Sequence, residues 1–391
     1  MKQIPVQLLQ VGSMYTKPVY VEDNNLLVPA GIAIRKKDVE RLVSWGIDTV
    51  RTEGEMLPPG TKPDQVGPGG GVGNAAKLPV LPSLAEAPGN QGTYRTYTDL
   101  IEKLKGIFKD IAIGSSVEVH AIDVIISRLL QVIREKRELI IGYILAGEVK
   151  HHDLAKSSIN TAILSCLITM EFKVPNHKLL QIVTAALLHD VGMLRLPREI
   201  LDKRGGLSGP ERQCVQTHPL MSYRIACKEL LYPEAVGLMV SQHHEYWDGT
   251  GYPRQLAGTQ IDSGARIISV ADAFEAMVSQ KPYRNSMIGY QAMKNLLADN
   301  SRRFDPNVLK AFIKTMGIYP IGSIVLLNNG AIARVTEVRN ETPLRPKINL
   351  LINKSGKVYP PNEGETIDLL TEKTLFITRA LDPKDLTKAR E

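Results

Sequence analysis

Histidines with neighbouring carboxylates are the residues of this sequence best suited to chemistry. His189 is followed by Asp190, and the pair His243 and His244 is followed by Glu245. A neutral imidazole offers one lone pair to a metal ion, whereas a carboxylate has two oxygens that can bridge two ions. His189 and Asp190 together therefore suit a shared corner of a two-metal site.

The predicted elements around these residues place them at helix ends. The apolar segment 182–188 predicts a helix that ends at His189, and the segment 235–242 predicts one that ends at His243. Adjacent residues inside a helix diverge by about 100°, so neighbouring histidines converge on one ion most easily at a helix end. The sequence puts His243 and His244 at such an end.

His218 and Asp272 extend this cluster. His218 begins another helical segment, and Asp272 lies within an apolar helix predicted over 267–277. A buried, unpaired carboxylate costs several kcal/mol, so Asp272 should have a cation partner. A single histidine is more often an ordinary core or surface residue, and His120 and His177 are assigned no function. Several such features close together favour a metal site.

Composition excludes other classes of function. The chain has 391 residues, of which 43% are hydrophobic and 23% charged, as in ordinary soluble proteins. The net charge of +7 is small, and without a basic block, zinc finger or aromatic RNA-binding pattern no nucleic-acid partner is expected. Three cysteines in apolar surroundings argue for a reducing compartment, and no apolar stretch suffices for a membrane span. A cytoplasmic location is expected.

Patterning divides the chain into four parts. Residues 1–57 predict a small α+β module, and 58–92 form a linker rich in proline and glycine. Over 93–318, apolar residues recur at spacings of three and four, which predicts a helical domain. Residues 319–391 contain short β-branched runs separated by turn signals, which predicts a β-rich extension and tail. The expected fold class is multi-domain, with an all-α core between two small modules.

The motifs together resemble the HD-GYP family of cyclic di-GMP phosphodiesterases, within the HD superfamily. The resemblance is carried by His189-Asp190, His218-Pro219, the segment HHEYWDGTGYP at 243–253, Asp272, and KPYR at 281–284. It covers about residues 150–320 and is most specific in the GYP segment with its preceding histidines. It implies an HD-type helical core that hydrolyses cyclic di-GMP to pGpG, GMP or both, in bacterial second-messenger signalling.

The resemblance implies a centre of two divalent metal ions, iron or manganese in most relatives, with His189 and Asp190 as the catalytic pair. Asp190 would bridge the two ions, and His189 and Asp272 would complete the ligands of one of them. The ligands implied for the other ion are His218, His243 and His244.

The resemblance also implies how substrate and partners bind. Lys281 and Arg284 match the family's two phosphate-binding positions, and Lys203 is a further candidate, although a solvated surface charge is the ordinary alternative for a single lysine. The loop-shaping residues are Gly249, Gly251, Tyr252 and Pro253. The expected partners are cyclic di-GMP, proteins that dock at the GYP loop, and a second copy of the chain in a homodimer.

The sequence departs from the family pattern at three positions. Ser157 replaces a metal-binding histidine, and its hydroxyl is a poor substitute for imidazole. Asp153, four residues earlier on the same helix face, is a candidate replacement ligand. Met193 stands where many relatives have lysine, and Glu275 replaces a frequent aspartate, which is a milder change.

These departures leave two main hypotheses open, and a third, another nucleotide hydrolase of the HD superfamily, is disfavoured because such enzymes lack the GYP loop. The first is an active phosphodiesterase with an altered metal site. The second is a catalytically impaired domain that binds cyclic di-GMP or a partner protein, as a receptor or scaffold. Retention of the six residues at 189, 190, 218, 243, 244 and 272 favours the enzyme.

Overall fold

The structure is a computed structural model with strands near both ends of the chain and helices between them. It describes residues 2–17, 19–21, 26–28, 34, 39, 42, 47–57, 90–146, 153–203, 205–279, 288–339, 341–360 and 363–381. The chain divides into two compact units. The first comprises residues 1–77, 328–331 and 353–358, and the second comprises residues 78–327, 332–352 and 359–391.

Short antiparallel strands form the described part of the N-terminal module. They are β1 (Lys2–Pro5), β2 (Met14–Tyr15), β3 (Val19–Tyr20), β4 (Leu26–Val28), β5 (Thr49–Thr52) and β6 (Met56–Leu57). One sheet has the strand order β1-β5-β3-β4, and β2 pairs with β6. The side chains of Val19 and Val50 are buried in a small apolar core with Leu42.

Helices make up most of the second unit. They are α1 (Gln91–Ile113), α2 (Val119–Ala146), α3 (Leu154–Glu171), α4 (Asn176–Leu188), α5 (Arg198–Leu201), α6 (Gly209–Val215), α7 (His218–Arg224), α8 (Glu234–Gln242), α9 (Ser263–Val278), α10 (Gly289–Ala298) and α11 (Pro306–Met316). Nearly every residue of α3 is buried, because this helix contacts α1, α4, α9 and α11. A helix that is covered on all sides lies at the centre of its domain.

Side-chain caps fix where several helices start. Asp262 accepts a hydrogen bond from the backbone N–H of Gly264 at the start of α9, and Asp305 does the same for Asn307 at the start of α11. Such caps satisfy backbone donors that would otherwise have no partner in the first turn. The start of α9 in turn determines the position of Asp272 on that helix.

A buried polar network links α1, α3 and α9. The Tyr97 hydroxyl donates to Asn160 Oδ1 over 2.6 Å, and Asn160 Nδ2 donates to Glu275 Oε1 over 3.1 Å. Ser279 Oγ donates to the same Glu275 oxygen. Burial, followed by the charge of Glu275, raises the pKa of Tyr97, so the phenol stays protonated as a donor. The network holds α9 in register one turn after Asp272.

The C-terminal module is a five-stranded antiparallel sheet with the order β10-β9-β8-β7-β11. Its strands are β7 (Ile324–Leu327), β8 (Ile332–Glu337), β9 (Lys347–Ile352), β10 (Thr366–Asp368) and β11 (Ile377–Leu381). The predicted fold class, a helical core between an N-terminal module with strands and a β-rich C-terminal module, is confirmed. Within the described ranges, no helix is both long and apolar enough to cross a membrane.

Replacing Asn160 tests the buried network. Asn160→Ala removes two buried hydrogen bonds and leaves Glu275 with one donor fewer, so the free energy of unfolding should fall by about 2–4 kcal/mol. Denaturant unfolding of the full chain, followed by circular dichroism, measures this change. The control Thr96→Ala removes an exposed hydroxyl of α1 and should stay within about 0.5 kcal/mol of the wild type. Equal effects of the two variants would contradict the role of the network.

Candidate metal centre

Backbone carbonyls orient three of the histidines in the same way. The Nδ1 atoms of His189, His218 and His243 lie 2.7, 2.7 and 2.6 Å from the carbonyl oxygens three residues earlier, at positions 186, 215 and 240. A carbonyl oxygen only accepts hydrogen bonds, so each Nδ1 carries the proton. In the neutral ring, Nε2 then has the free lone pair that a metal ion needs.

These Nε2 atoms converge on the carboxylate of Asp190. Oδ1 of Asp190 lies 3.0 Å from His218 Nε2 and 3.5 Å from His243 Nε2, whereas Oδ2 lies 3.4 Å from His189 Nε2. Asp190 begins the 3-10 turn Val191–Arg195, directly after α4 and His189. The two oxygens of one carboxylate therefore face two different sets of histidines.

The potential ligand atoms fall into two groups that share Asp190. One group consists of Asp190, His218, His243 and His244, and the other of His189, Asp190 and Asp272. Within each group, the candidate atoms lie within 4.8 Å of one another. Asp272 reaches its group from α9, with Oδ1 3.6 Å from His189 Nε2. Four separate segments of the chain thus deliver six residues to one place.

Two buried atoms at the centre of the cluster make no hydrogen bond to the described residues. They are His189 Nε2 and Asp190 Oδ1. Burying a polar atom without a partner costs free energy. When the atom is an imidazole nitrogen or a carboxylate oxygen, a bound cation removes this cost. Nitrogen and oxygen donors of this kind suit first-row divalent metals. The residues present therefore fit a metal centre.

The electrostatics of the cluster also favour a bound cation. Burial alone would raise the pKa of Asp190 and Asp272, but His189 outweighs it, so both values lie below the usual range. Burial lowers the pKa of His243, and it lowers that of His244 further, together with the charge of His243. At neutral pH the cluster therefore holds two carboxylates and at least two neutral imidazoles, which is the protonation state that binds metal.

The pKa of His189 shifts upward, in the opposite direction to those of His243 and His244. Burial lowers its pKa, but the adjacent carboxylates of Asp190 and Asp272 outweigh this effect and raise the pKa well above the ordinary value. The two carboxylates therefore stabilise the protonated form of the His189 imidazole. A divalent ion bound by the same three residues would displace that proton.

His244 is held by an aromatic ring. Its imidazole stacks on Tyr252, with ring centroids 4.8 Å apart and an interplanar angle of 30°. The backbone N–H of Tyr252 also donates to the carbonyl oxygen of His244 over 3.1 Å. The tyrosine of the GYP segment therefore covers one face of a candidate ligand, a contact that sequence reasoning missed because spacing alone gives no ring orientation.

Glu245 holds the GYP loop, the turn from Gly249 to Pro253, through hydrogen bonds to the backbone that follows it. Its buried carboxylate accepts hydrogen bonds from the backbone N–H groups of Arg254 (2.6 Å) and Leu256 (3.0 Å). Gly251 lies so close to the preceding chain that a Cβ would be 2.5 Å from the His244 carbonyl oxygen. Gly249 has a φ of +81°, in the left-handed region that favours glycine. These contacts support the predicted loop-shaping role, and Pro253 follows within the same turn.

A cavity of about 370 Å³ opens beside the metal-competent groups. Its walls include Asp190, His218, His244, Tyr252 and Asp272. The remaining lining residues include Met193, Asn295, Asp299, Arg303 and Phe304. The volume lies within the range of small-molecule sites, so part of a nucleotide can enter it beside the ligands.

One predicted metal ligand, Asp153, lies apart from this cluster. Asp153 caps α3 by accepting from the N–H groups of Ala155 and Lys156, and its other oxygen lies 3.1 Å from Lys105 Nζ. Because both oxygens are engaged there, the structure does not bring Asp153 to either ligand group. Ser157 is partly buried on α3.

Lys203, a predicted phosphate contact, also lies apart. Lys203 Nζ contacts both carboxylate oxygens of Glu211, at 2.8 and 2.6 Å, and Lys203 is absent from the described lining of the cavity. This contact, followed by hydrogen bonds from Ser208, lowers the pKa of Glu211 to about 2. Lys281 and Arg284 fall outside the described residues.

Substitutions of Tyr252 test the support of His244. Tyr252→Phe keeps the ring and should leave metal affinity unchanged, whereas Tyr252→Ala should weaken it about 10- to 100-fold because His244 loses its stacking partner. Competition with a coloured chelator measures the affinity. Equal affinities of the two variants would show that the ring does not hold His244.

Substitution of Gly192 tests how closely the turn after Asp190 packs against His218 at the start of α7. A Cβ at Gly192 would lie 2.2 Å from the His218 carbonyl oxygen, so Gly192→Ala must separate Asp190 from His218. Metal content per chain, measured by mass spectrometry, should fall, and so should the melting temperature. The control Gly106→Ala, on an open face of α1, should keep full metal content and gain up to about 1 kcal/mol in stability. Full metal content in Gly192→Ala would contradict the close packing.

Comparison with known proteins places these features in a family. Residues 128–308 match the HD domain, and residues 324–389 match the KOW domain associated with the HD domain. A cyclic di-GMP phosphodiesterase of Pseudomonas aeruginosa is 30% identical over 300 residues, which cover 75% of this chain and 72% of that protein.

Two further relatives match over shorter segments. The cyclic di-GMP phosphodiesterase PdeB of Borreliella burgdorferi is 32% identical over 229 residues, 59% of this chain, and the match spans 60% of the length of that relative. A 3'3'-cGAMP-specific phosphodiesterase of Vibrio cholerae is 34% identical over 167 residues, which cover 42% of this chain and 36% of that protein. From the domain match and the long alignment with the Pseudomonas protein, the chain belongs to the HD-GYP family of HD-domain proteins.

Proposed function

We propose that this protein is a metal-dependent phosphodiesterase that hydrolyses cyclic di-GMP to pGpG, GMP or both. The observation that carries the proposal is the division of the ligands into two groups that share Asp190. A carboxylate whose two oxygens face separate sets of ligands is suited to bridge two ions, and paired ions suit phosphoryl transfer.

The substrate is inferred from the relatives together with the cavity. Two of the relatives described above are named as cyclic di-GMP phosphodiesterases, and a third as specific for 3'3'-cGAMP. All three names describe hydrolysis of a cyclic dinucleotide. The cavity beside Asp190 and Asp272 is large enough for one part of such a molecule. We infer cyclic di-GMP as the preferred substrate because two relatives with longer alignments act on it by name.

The metal centre is proposed to hold two divalent ions, iron or manganese. His218, His243 and His244 would hold one ion together with Asp190, and His189 and Asp272 would hold the other. When bound, two such ions supply a strong nucleophile from water at neutral pH and positive charge beside the phosphoryl oxygens. The mixed imidazole and carboxylate donors suit either metal.

The chain's own residues contribute orientation and protonation state. The carbonyls at 186, 215 and 240 hold the Nδ1 protons, so that each Nε2 points to the centre without a rearrangement. The low pKa of Asp190 keeps its carboxylate ionised and available to both groups. Tyr252 closes one side of the cavity over His244. Protein docking at the GYP loop and homodimer formation stay predictions.

Ser157 leaves the group of His189 and Asp272 with fewer protein ligands than the family pattern has. The described residues supply this group with three members, against four for the group of His218. A catalytic metal needs open positions for water and substrate, so a smaller protein set is compatible with turnover. We therefore favour the enzyme over the receptor or scaffold.

Turnover of cyclic di-GMP tests the proposal. Protein purified without oxygen, with its metal content quantified, should hydrolyse cyclic di-GMP, and chromatography of the products distinguishes pGpG from GMP. The double variant His189→Ala with Asp190→Ala removes the bridging carboxylate and should lower the rate at least about 10³-fold.

The variant Ser157→His distinguishes the alternative. If the natural chain is an enzyme, it should hydrolyse cyclic di-GMP without this substitution. Ser157→His should then bind metal more tightly than the wild type does. Binding of cyclic di-GMP without turnover by the wild type, with turnover gained by Ser157→His, would show that the natural chain is a receptor.

A further inference from the structure

Arg303 is the basic residue other than histidine in the described lining of the metal-site cavity. The acidic residues of that lining are Asp190, Asp272 and Asp299, of which the first two belong to the metal-competent groups. Arg303 follows α10 and lies just before Asp305, which caps α11. The GYP segment and this later turn therefore contribute to the same cavity.

Aromatic rings and backbone hydrogen bonds hold Arg303 in place. Its guanidinium carbon lies 5.0 Å from the ring centre of Tyr246 and 5.0 Å from that of Phe304. Its backbone N–H donates to the Asp299 carbonyl over 3.0 Å, and its carbonyl accepts from the Trp247 N–H over 3.0 Å. Contacts with two aromatic rings restrict the planar ion without neutralising its charge.

No described carboxylate forms an ion pair with Arg303, although acidic groups are close by. Asp299 pairs instead with the neighbouring Arg302, and Asp305 pairs with Arg266 at 2.7 Å. Nε of Arg303 is buried and makes no hydrogen bond to the described residues. Partly buried arginines are usually paired, so an unpaired one on the wall of a cavity is suited to bind an anion that enters it.

We propose that Arg303 binds the phosphate of the cyclic dinucleotide that is not being hydrolysed. This inference rests on the proposed function. A cyclic dinucleotide carries two phosphodiester groups, each with one negative charge, and the group under attack must lie at the metal-competent cluster. The second phosphate then needs a cationic partner outside that cluster. Lys281 and Arg284 are the candidates from the sequence, and among the described residues of the cavity the guanidinium of Arg303, held by two rings, offers a fork of donors.

Two substrates separate this role from a general effect on the site. Cyclic di-GMP has a second phosphate, whereas bis(p-nitrophenyl) phosphate has only the one that is hydrolysed. Arg303→Gln should raise the KM for cyclic di-GMP about 10- to 100-fold with kcat nearly unchanged, because a contact remote from the reacting bond contributes uniform binding. The same variant should hydrolyse bis(p-nitrophenyl) phosphate like the wild type and keep its metal content.

Two further variants serve as controls. Arg95→Gln removes the same charge from an exposed side chain of α1 that is absent from the cavity lining, and its KM should equal that of the wild type. Arg303→Lys keeps a point charge without the fork and should raise the KM less than Arg303→Gln does.

Each possible result supports one interpretation of Arg303. Hydrolysis of neither substrate by the wild type would contradict the proposed function itself. Wild-type turnover with an unchanged KM for cyclic di-GMP in Arg303→Gln would overturn the inference alone. Equal losses on both substrates, or loss of metal, would overturn it in favour of a role for Arg303 at the reacting phosphate or in the fold.

Discussion

The metal centre depends on a local constraint, the backbone carbonyl that lies three residues before His189, His218 and His243 and accepts from each ring. A backbone carbonyl cannot donate, so it fixes the proton on Nδ1 and leaves Nε2 to face the centre. The acceptors of His189 and His243 belong to the helices that end at these residues, and the acceptor of His218 is the last residue of the preceding helix, so each ring is oriented by its own local segment. The fold must then bring the segments that carry these histidines to Asp190.

That task falls to the packing around α3 and α9. The buried helix α3 contacts the helices on several sides, and α9 carries Asp272 on one turn and the buried Glu275 on the next. A polar network buried this deeply is favourable only when every member is satisfied. The hydrogen bonds from Asn160 and Ser279 to Glu275 therefore restrict how α9 can rotate or slide, and with it the position of Asp272.

The sequence predicted the parts of this structure that depend on local pattern. Apolar spacing predicted the helical core, and the placement of His189 and His243 directly after apolar helices agrees with the ends of α4 and α8. The capping of α3 by Asp153 is a local contact that an aspartate before a helix signals, but the sequence analysis assigned Asp153 to metal instead. Contacts that depend on tertiary packing could not be predicted. The pairing of Lys203 with Glu211 and the stacking of Tyr252 on His244 depend on side-chain directions that residue spacing does not give. Arg303 belongs to none of the motifs. Its place in the cavity wall could not be predicted because the cavity forms only where α10 and the GYP loop meet.

The anchoring of the GYP loop by Glu245 has a consequence for which sequences the loop tolerates. The carboxylate binds the backbone N–H groups at positions 254 and 256 and makes no demand on the side chains there. Every amino acid except proline supplies such an N–H group. Natural variation at these two positions can therefore be broad while proline is excluded. The residues whose identity the loop constrains are Glu245, for its carboxylate, and Gly249 and Gly251, for their backbone.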